Sequence, residues 1–64
     1  MKLNVKTADI FLDRLSGTGP QGRAKKRILQ FRREPSLERR QAALRAIGTL
    51  DQNTQTNLRQ AARL

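Results

Sequence analysis

An all-α fold, a compact bundle of three to four short helices, is what this sequence of 64 residues predicts. Three observations carry that expectation. Apolar residues recur at helical spacing through most of the chain. Breaker clusters at 17–22, 34–36 and 48–53 cut it into pieces of helical length. The only alternation of period two, Leu3 and Val5 against Asn4 and Lys6, is too short to stand as a sheet.

Residues 1–6 are expected as a flexible arm, although their alternation would also suit a small strand pairing within a dimer. Thr7 is a good helix cap, and Asp9 falls in the first turn, where the helix dipole favours an acid. The first helix is therefore placed at about 8–16. Ala8, Phe11, Leu12 and Leu15 share its broad apolar face, with Ile10 beside them. A short helix this apolar is expected to be central and largely buried, with Phe11 as the large core side chain.

Gly17 to Gly22 is a loop by composition, and Pro20 suits the first turn of a second helix at about 20–33, capped by Thr18 or Gly19. Ala24, Ile28 and Phe31 form a single apolar stripe. Lys26 and Arg33 project opposite to it, Lys25 and Arg32 flank one edge, and Arg27 flanks the other. Glu34 precedes Pro35 and is pushed out of helical geometry, which ends the helix. Ser36 then caps a third helix at about 37–50, with Leu37, Ala43, Leu44, Ile47 and Leu50 on its apolar face. Arg40 falls within that face by phase. Either its stem lies along the core with its head reaching out, the commoner arrangement, or that face meets an acidic partner. The last helix is placed at about 54–64, capped by Asp51 or Thr54. It is thin in apolar residues (Leu58, Ala61, Ala62) and rich in amides. The whole chain reads as one small helical domain, 1–64.

Charge is the strongest functional signal. Fourteen Lys and Arg stand against five Asp and Glu, a formal net charge of +9. The stretch Gly22–Arg45 holds nine of the cations: Arg23, Lys25, Lys26, Arg27, Arg32, Arg33, Arg39, Arg40 and Arg45, opposed only by Glu34 and Glu38. Like charges this close within one helix repel each other. A polyanion would relieve that repulsion. The expected function is accordingly a small basic nucleic-acid-binding protein, DNA-binding or RNA-binding, acting as an accessory protein or regulator. Its phosphate contacts are expected at Arg23, Lys25, Lys26, Arg27, Arg32, Arg33, Arg39 and Arg45. Any reading of bases would come from the last helix, through Gln55, Arg59 and Arg63, whose side-chain types match adenine and guanine edges. The alternative is a protein-binding helical module, an inhibitor or adaptor that docks on an acidic protein surface. A core this small also suits a homodimer.

Other classes fare worse. With no His and no Cys, and five scattered acids, the chain offers no catalytic residues, no metal ligands and no cofactor motif. Phe11 and Phe31 are the only aromatics, too few for a stacking platform. The run Gly17-Thr18-Gly19-Pro20-Gln21-Gly22 matches a dinucleotide-binding glycine pattern in its letters. It follows a helix, however, where that pattern follows a strand. A P-loop would need Lys and Ser or Thr after Gly22, where Arg23 and Ala24 stand. Both comparisons leave a helix–helix connector, with a weaker use of its amides toward one phosphate. Around Gly48 the chain partly matches a helix-turn-helix, with Thr49, Thr54 and Asn57 where apolar residues belong. No apolar run approaches a membrane span, the opening lacks the apolar core of a secretory signal, and the lack of Cys fits a reducing compartment. A cytoplasmic location is expected.

Overall fold

The polypeptide enters its first helix earlier than Thr7. In the computed structural model, which describes residues 2–63, α1 covers Val5–Arg14 and its N-cap is Asn4. The Asn4 side chain accepts from the Thr7 backbone N–H at 2.9 Å, and Thr7 Oγ1 accepts from the Asn4 N–H at 2.9 Å. That is a reciprocal capping box with Thr in the place usually taken by Glu or Gln. Thr7 is therefore the third helical residue and not the cap, and the expected 8–16 moves to 5–14. Residues 2–4 are also more engaged than a flexible arm would be. Leu3 is 2% exposed within the core cluster, and its carbonyl accepts from Arg40 Nε at 2.9 Å. Met1 lies outside the described residues.

Helix α2, Gly19–Arg33, starts with Pro20 in its first turn and ends at Glu34, which leaves helical geometry before Pro35 (φ −136°, ψ 82°). Thr18 occupies the N-cap position without a side-chain bond. Helix α3, Leu37–Gly48, is capped by Ser36, whose Oγ accepts from the Arg39 N–H at 3.2 Å. It stops short of the expected Leu50. The Thr49 N–H donates to the Ala46 carbonyl and the Leu50 N–H to the Ile47 carbonyl, so the last turn tightens into i→i−3 bonds. Helix α4, Gln52–Arg63, begins two residues before the expected 54, because Asp51 rather than Thr54 stands ahead of its first turn. The Asp51 carboxylate accepts from both the hydroxyl and the N–H of Thr54. The expected last residue, Leu64, lies outside the described residues.

Packing follows the apolar stripes. Helix α1 lies against both α2 and α4, and α3 lies against α2. Phe11, Ile28, Ile47 and Leu58, one large side chain from each helix, are fully enclosed. Leu3, Leu15, Phe31 and Leu50 complete the large members of the core. The radius of gyration is 10.2 Å, close to the ~10.7 Å that size scaling gives for a compact 64-residue domain. Leu37, expected on the buried face of α3, is 67% exposed. It sits in the first turn of the helix, at the margin of the core. All buried side-chain polar atoms among the described residues have partners.

The glycine-rich connector is explained by these contacts. Gly19 has φ +63°, in the left-handed region that glycine enters without strain. Gly22 lies so close to Gly17 that a Cβ there would fall 2.7 Å from the Gly17 carbonyl oxygen. Two of the glycines that spell a nucleotide motif are thus fixed by the packing of a turn against the helix that follows it. The Ser16 N–H donating to Gln21 Oε1 at 3.0 Å closes the same turn.

Candidate nucleic-acid interface

The cations of α2 divide by helical phase. On the edge facing α1, Lys25 Nζ donates to the Leu15 carbonyl at 3.4 Å, the carbonyl at the C-cap of α1. One helical stretch further on, Arg32 Nε pairs with the Asp9 carboxylate at 2.5 Å. Both contacts follow from antiparallel packing of α2 on α1. They place a cation on a carbonyl left over at a helix end, and another on the acid that α1 presents outward. These two candidate phosphate ligands therefore have intramolecular partners.

The rest of α2 differs. Arg23, Lys26, Arg27 and Arg33 are exposed, and none lies within ion-pair distance of a carboxylate among the described residues. Arg27 Nη1 donates to Gln30 Oε1 at 3.4 Å, a neutral partner that leaves its charge uncompensated. Arg27 and Gln30 then form one wall of a groove of about 390 Å³ between α2 and α3, with Glu38, Arg39 and Ala42 on the other. Arg39 is held by Glu34 at 2.9 Å across the Pro35 turn, with both side chains well exposed. Exposed pairs of this kind are worth little, about 0–1 kcal/mol, so a stronger anion can displace Glu34. Arg45 is exposed on α3 and has no ion-pair partner among the described residues. Glu38 is the one acid in the groove, and it sets a local limit to the positive potential there.

Arg40 was expected to carry its head outward. Its guanidinium is instead half-buried and fastened to the Leu3 carbonyl. It closes the N-terminal segment onto α3 and adds nothing to the cationic face.

The base-reading candidates separate in the same way. Gln55 Nε2 donates to the Leu50 carbonyl at 2.6 Å and the Gly48 carbonyl at 3.4 Å. It satisfies carbonyls freed at the end of α3 and holds the α3–α4 turn, so its amide is committed to the fold. Arg59 and Arg63 are exposed on α4. With Lys2 and Ala62 they line a shallow depression of about 300 Å³, whose lining shares no residue with the α2–α3 groove. Lys2 was not foreseen as part of any site. Its place beside α4 comes from the burial of Leu3, and no spacing within the chain signals it. A third hollow, of about 490 Å³, lies where Arg14, Gln21 and the Asn57 edge of α4 meet.

Among the described residues Asp51 is the one titratable group moved clearly from its ordinary value. The Thr54 hydroxyl bound to its carboxylate holds it below the usual carboxylate range. That marks a helix cap, with no cation site around it. Among the described residues no three acidic side chains converge where a metal could sit, and no helix is long and apolar enough to cross a membrane.

No family model, curated protein or solved structure matches this chain.

Proposed function

We propose that the protein binds nucleic acid through the sugar-phosphate backbone, with Arg23, Lys26, Arg27 and Arg33 of α2 and Arg45 of α3 as its principal contacts. Arg39 joins them by exchanging Glu34 for a phosphate. The observation that carries this reading is the division of the cations. The fold holds four cations on its own oxygens: Lys25 and Arg40 on backbone carbonyls, Arg32 and Arg39 on carboxylates. Arg23, Lys26, Arg27 and Arg33 of α2 and Arg45 of α3 are exposed, and none reaches a carboxylate or a backbone carbonyl among the described residues. Clustered like charges cost a small domain stability; phosphates neutralise them, and the counterions freed from the nucleic acid favour binding. The face holds no exposed aromatic ring for stacking, since Phe11 and Phe31 are both buried. The binding it supports is therefore governed by backbone charge, with little readout of bases. An accessory or regulatory role for the protein, within the cytoplasm, rests on that chemistry.

The test is fluorescence anisotropy of labelled duplex DNA, single-stranded DNA and hairpin RNA between about 50 and 200 mM salt. Six phosphate contacts on duplex DNA, Arg39 included, predict a log–log slope near −5.4. Lys26→Glu combined with Arg33→Glu should abolish binding while leaving the circular dichroism spectrum unchanged. Unaltered affinity in that variant would place the site elsewhere. Salt-sensitive capture of an acidic protein that excess duplex fails to compete away would favour the docking-module alternative.

A further inference from the structure

The α4 cations form a surface of their own. Lys2, Arg59 and Arg63 line the depression with Ala62, and no acidic side chain lines it among the described residues. Helix α4 contains no Asp or Glu, and the nearest acidic side chain along the sequence is Asp51, just ahead of it. It lies eight residues from Arg59, about 12 Å along the helix axis. That exceeds the screening length of about 8 Å at physiological ionic strength. Arg63 alone, in the last turn, would complement the negative end of the helix dipole. The dipole gives no reason for Lys2 to stand in the same place, because Lys2 is brought there by a different part of the chain. Three cations from the two ends of the sequence thus converge on one hollow. This lining shares no residue with the α2–α3 groove, and α1 is the helix packed against both α2 and α4.

Building on nucleic-acid binding by the outer face of α2, we propose that Lys2, Arg59 and Arg63 are a second phosphate-binding surface, which holds a second segment of nucleic acid. One molecule then has two separate cationic surfaces and tethers two duplex segments, or two parts of one segment bent around it. The shallow shape suits a passing backbone. The phosphate oxygens meet the guanidinium groups of Arg59 and Arg63 in the forked geometry arginine favours, and Lys2 adds a point charge beside them. This arrangement gives separate roles to the two surfaces: the α2–α3 face sets affinity for a first duplex, and the α4 surface sets capture of a second.

The test measures both roles in one preparation. Anisotropy reads binding of a single labelled duplex. A bead assay reads bridging, as recovery of a labelled duplex by an immobilised duplex of different sequence in the presence of protein. The proposal expects wild-type protein to recover the second duplex. Arg59→Glu with Arg63→Glu should keep single-duplex affinity within about threefold of wild type, as expected of charges outside the principal site, and lose most of the recovery. Arg59→Gln with Arg63→Gln, a milder change at the helix end, should give intermediate recovery with an unchanged circular dichroism spectrum. Tight binding of one duplex by wild-type protein without recovery of a second overturns the second surface and leaves the first intact. Bridging that survives in both α4 variants also overturns it, and assigns bridging to paired copies of the α2 face. Failure of wild-type protein to bind duplex overturns this inference, and failure to bind single-stranded DNA and hairpin RNA as well overturns the function proposed above.

Discussion

Lys25 and Lys26 are neighbours in the chain and serve different ends in the fold. Lys25 belongs to the edge of α2 that meets α1, where with Arg32 it touches the Leu15 carbonyl and the Asp9 carboxylate. Lys26 belongs to the outer face with Arg23, Arg27 and Arg33, which have no ion-pair partner among the described residues. In a strongly basic helix the count of cations therefore overstates the number left exposed. Helical phase decides which of them reach the protein's own oxygens and which stay open to solvent.

The most severe way to break the comparison is to remove the scaffold under both edges. Phe11 is completely enclosed, and Phe11→Ala should cost about 3–5 kcal/mol. That is a large share of what a domain this size possesses. Urea unfolding followed by circular dichroism should show the variant mostly unfolded near room temperature.

Gly22→Ala should come next. The new methyl would press on the Gly17 carbonyl, and overpacking of that kind costs about 1–3 kcal/mol, more than the helix propensity alanine gains. Gly48→Ala meets open space at the end of α3 and should raise stability by about 0.5–1 kcal/mol. Opposite shifts in urea midpoint for the two glycines would sharpen the distinction between a packed turn and a mere helix end. Shifts of the same sign would break it.

Arg40→Ala removes a charge-assisted bond to the Leu3 carbonyl, worth about 1.5–3 kcal/mol where such bonds are buried and less at this half-buried site. Amide exchange should quicken at residues 3–8, with much smaller changes in α3 beyond its first turn. Duplex affinity should hold, because Arg40 lies off the outer face.

A smaller effect is expected at the inner edge. Arg32→Gln loses an exposed ion pair, for a change of about 0–1 kcal/mol in stability.

The slightest effect concerns pH. Thr54 stabilises the ionised form of Asp51. A folded-state carboxyl held below its unfolded value stabilises the fold above that unfolded value, about 3.9, and the contribution fades as pH falls through the lower, folded value. Thermal melts between pH 6 and 2 should therefore show Asp51→Asn converging on wild type below about pH 4.

Much of this architecture was legible in the residues. The stripes of Ala24, Ile28, Phe31 and of Ala8, Phe11, Leu15 repeat at helical spacing, and Pro35 and the glycine connector mark their ends. The capping box at Asn4 was hidden because Thr7 fits the cap position as readily as the third helical position. With the helix start misplaced, Leu3 read as part of an arm. Of the outer cations of α2, Lys26 and Arg33 were legible from phase alone, while Arg27 read as a flank of the apolar stripe. The engagement of Lys25 and Arg32 was not legible, since it depends on α1 lying antiparallel alongside. Gln55 looked like a base reader by residue type, and only the turn geometry shows its amide bound to Leu50. Lys2 beside Arg63 joins the two ends of the sequence, which no local pattern records.

The central claim is that the outer face of α2 and not its inner edge binds phosphate. The most direct measurement compares the salt dependence of duplex binding for Lys26→Gln with Arg33→Gln against Lys25→Gln with Arg32→Gln. Both variants lose two positive charges, so net charge cancels from the comparison. Loss of two phosphate contacts should make the outer variant's log–log slope shallower by about 1.8, while the inner variant keeps a slope close to wild type. Equal changes in the two variants would contradict the account and make the charge of the protein, not the face it occupies, the source of binding.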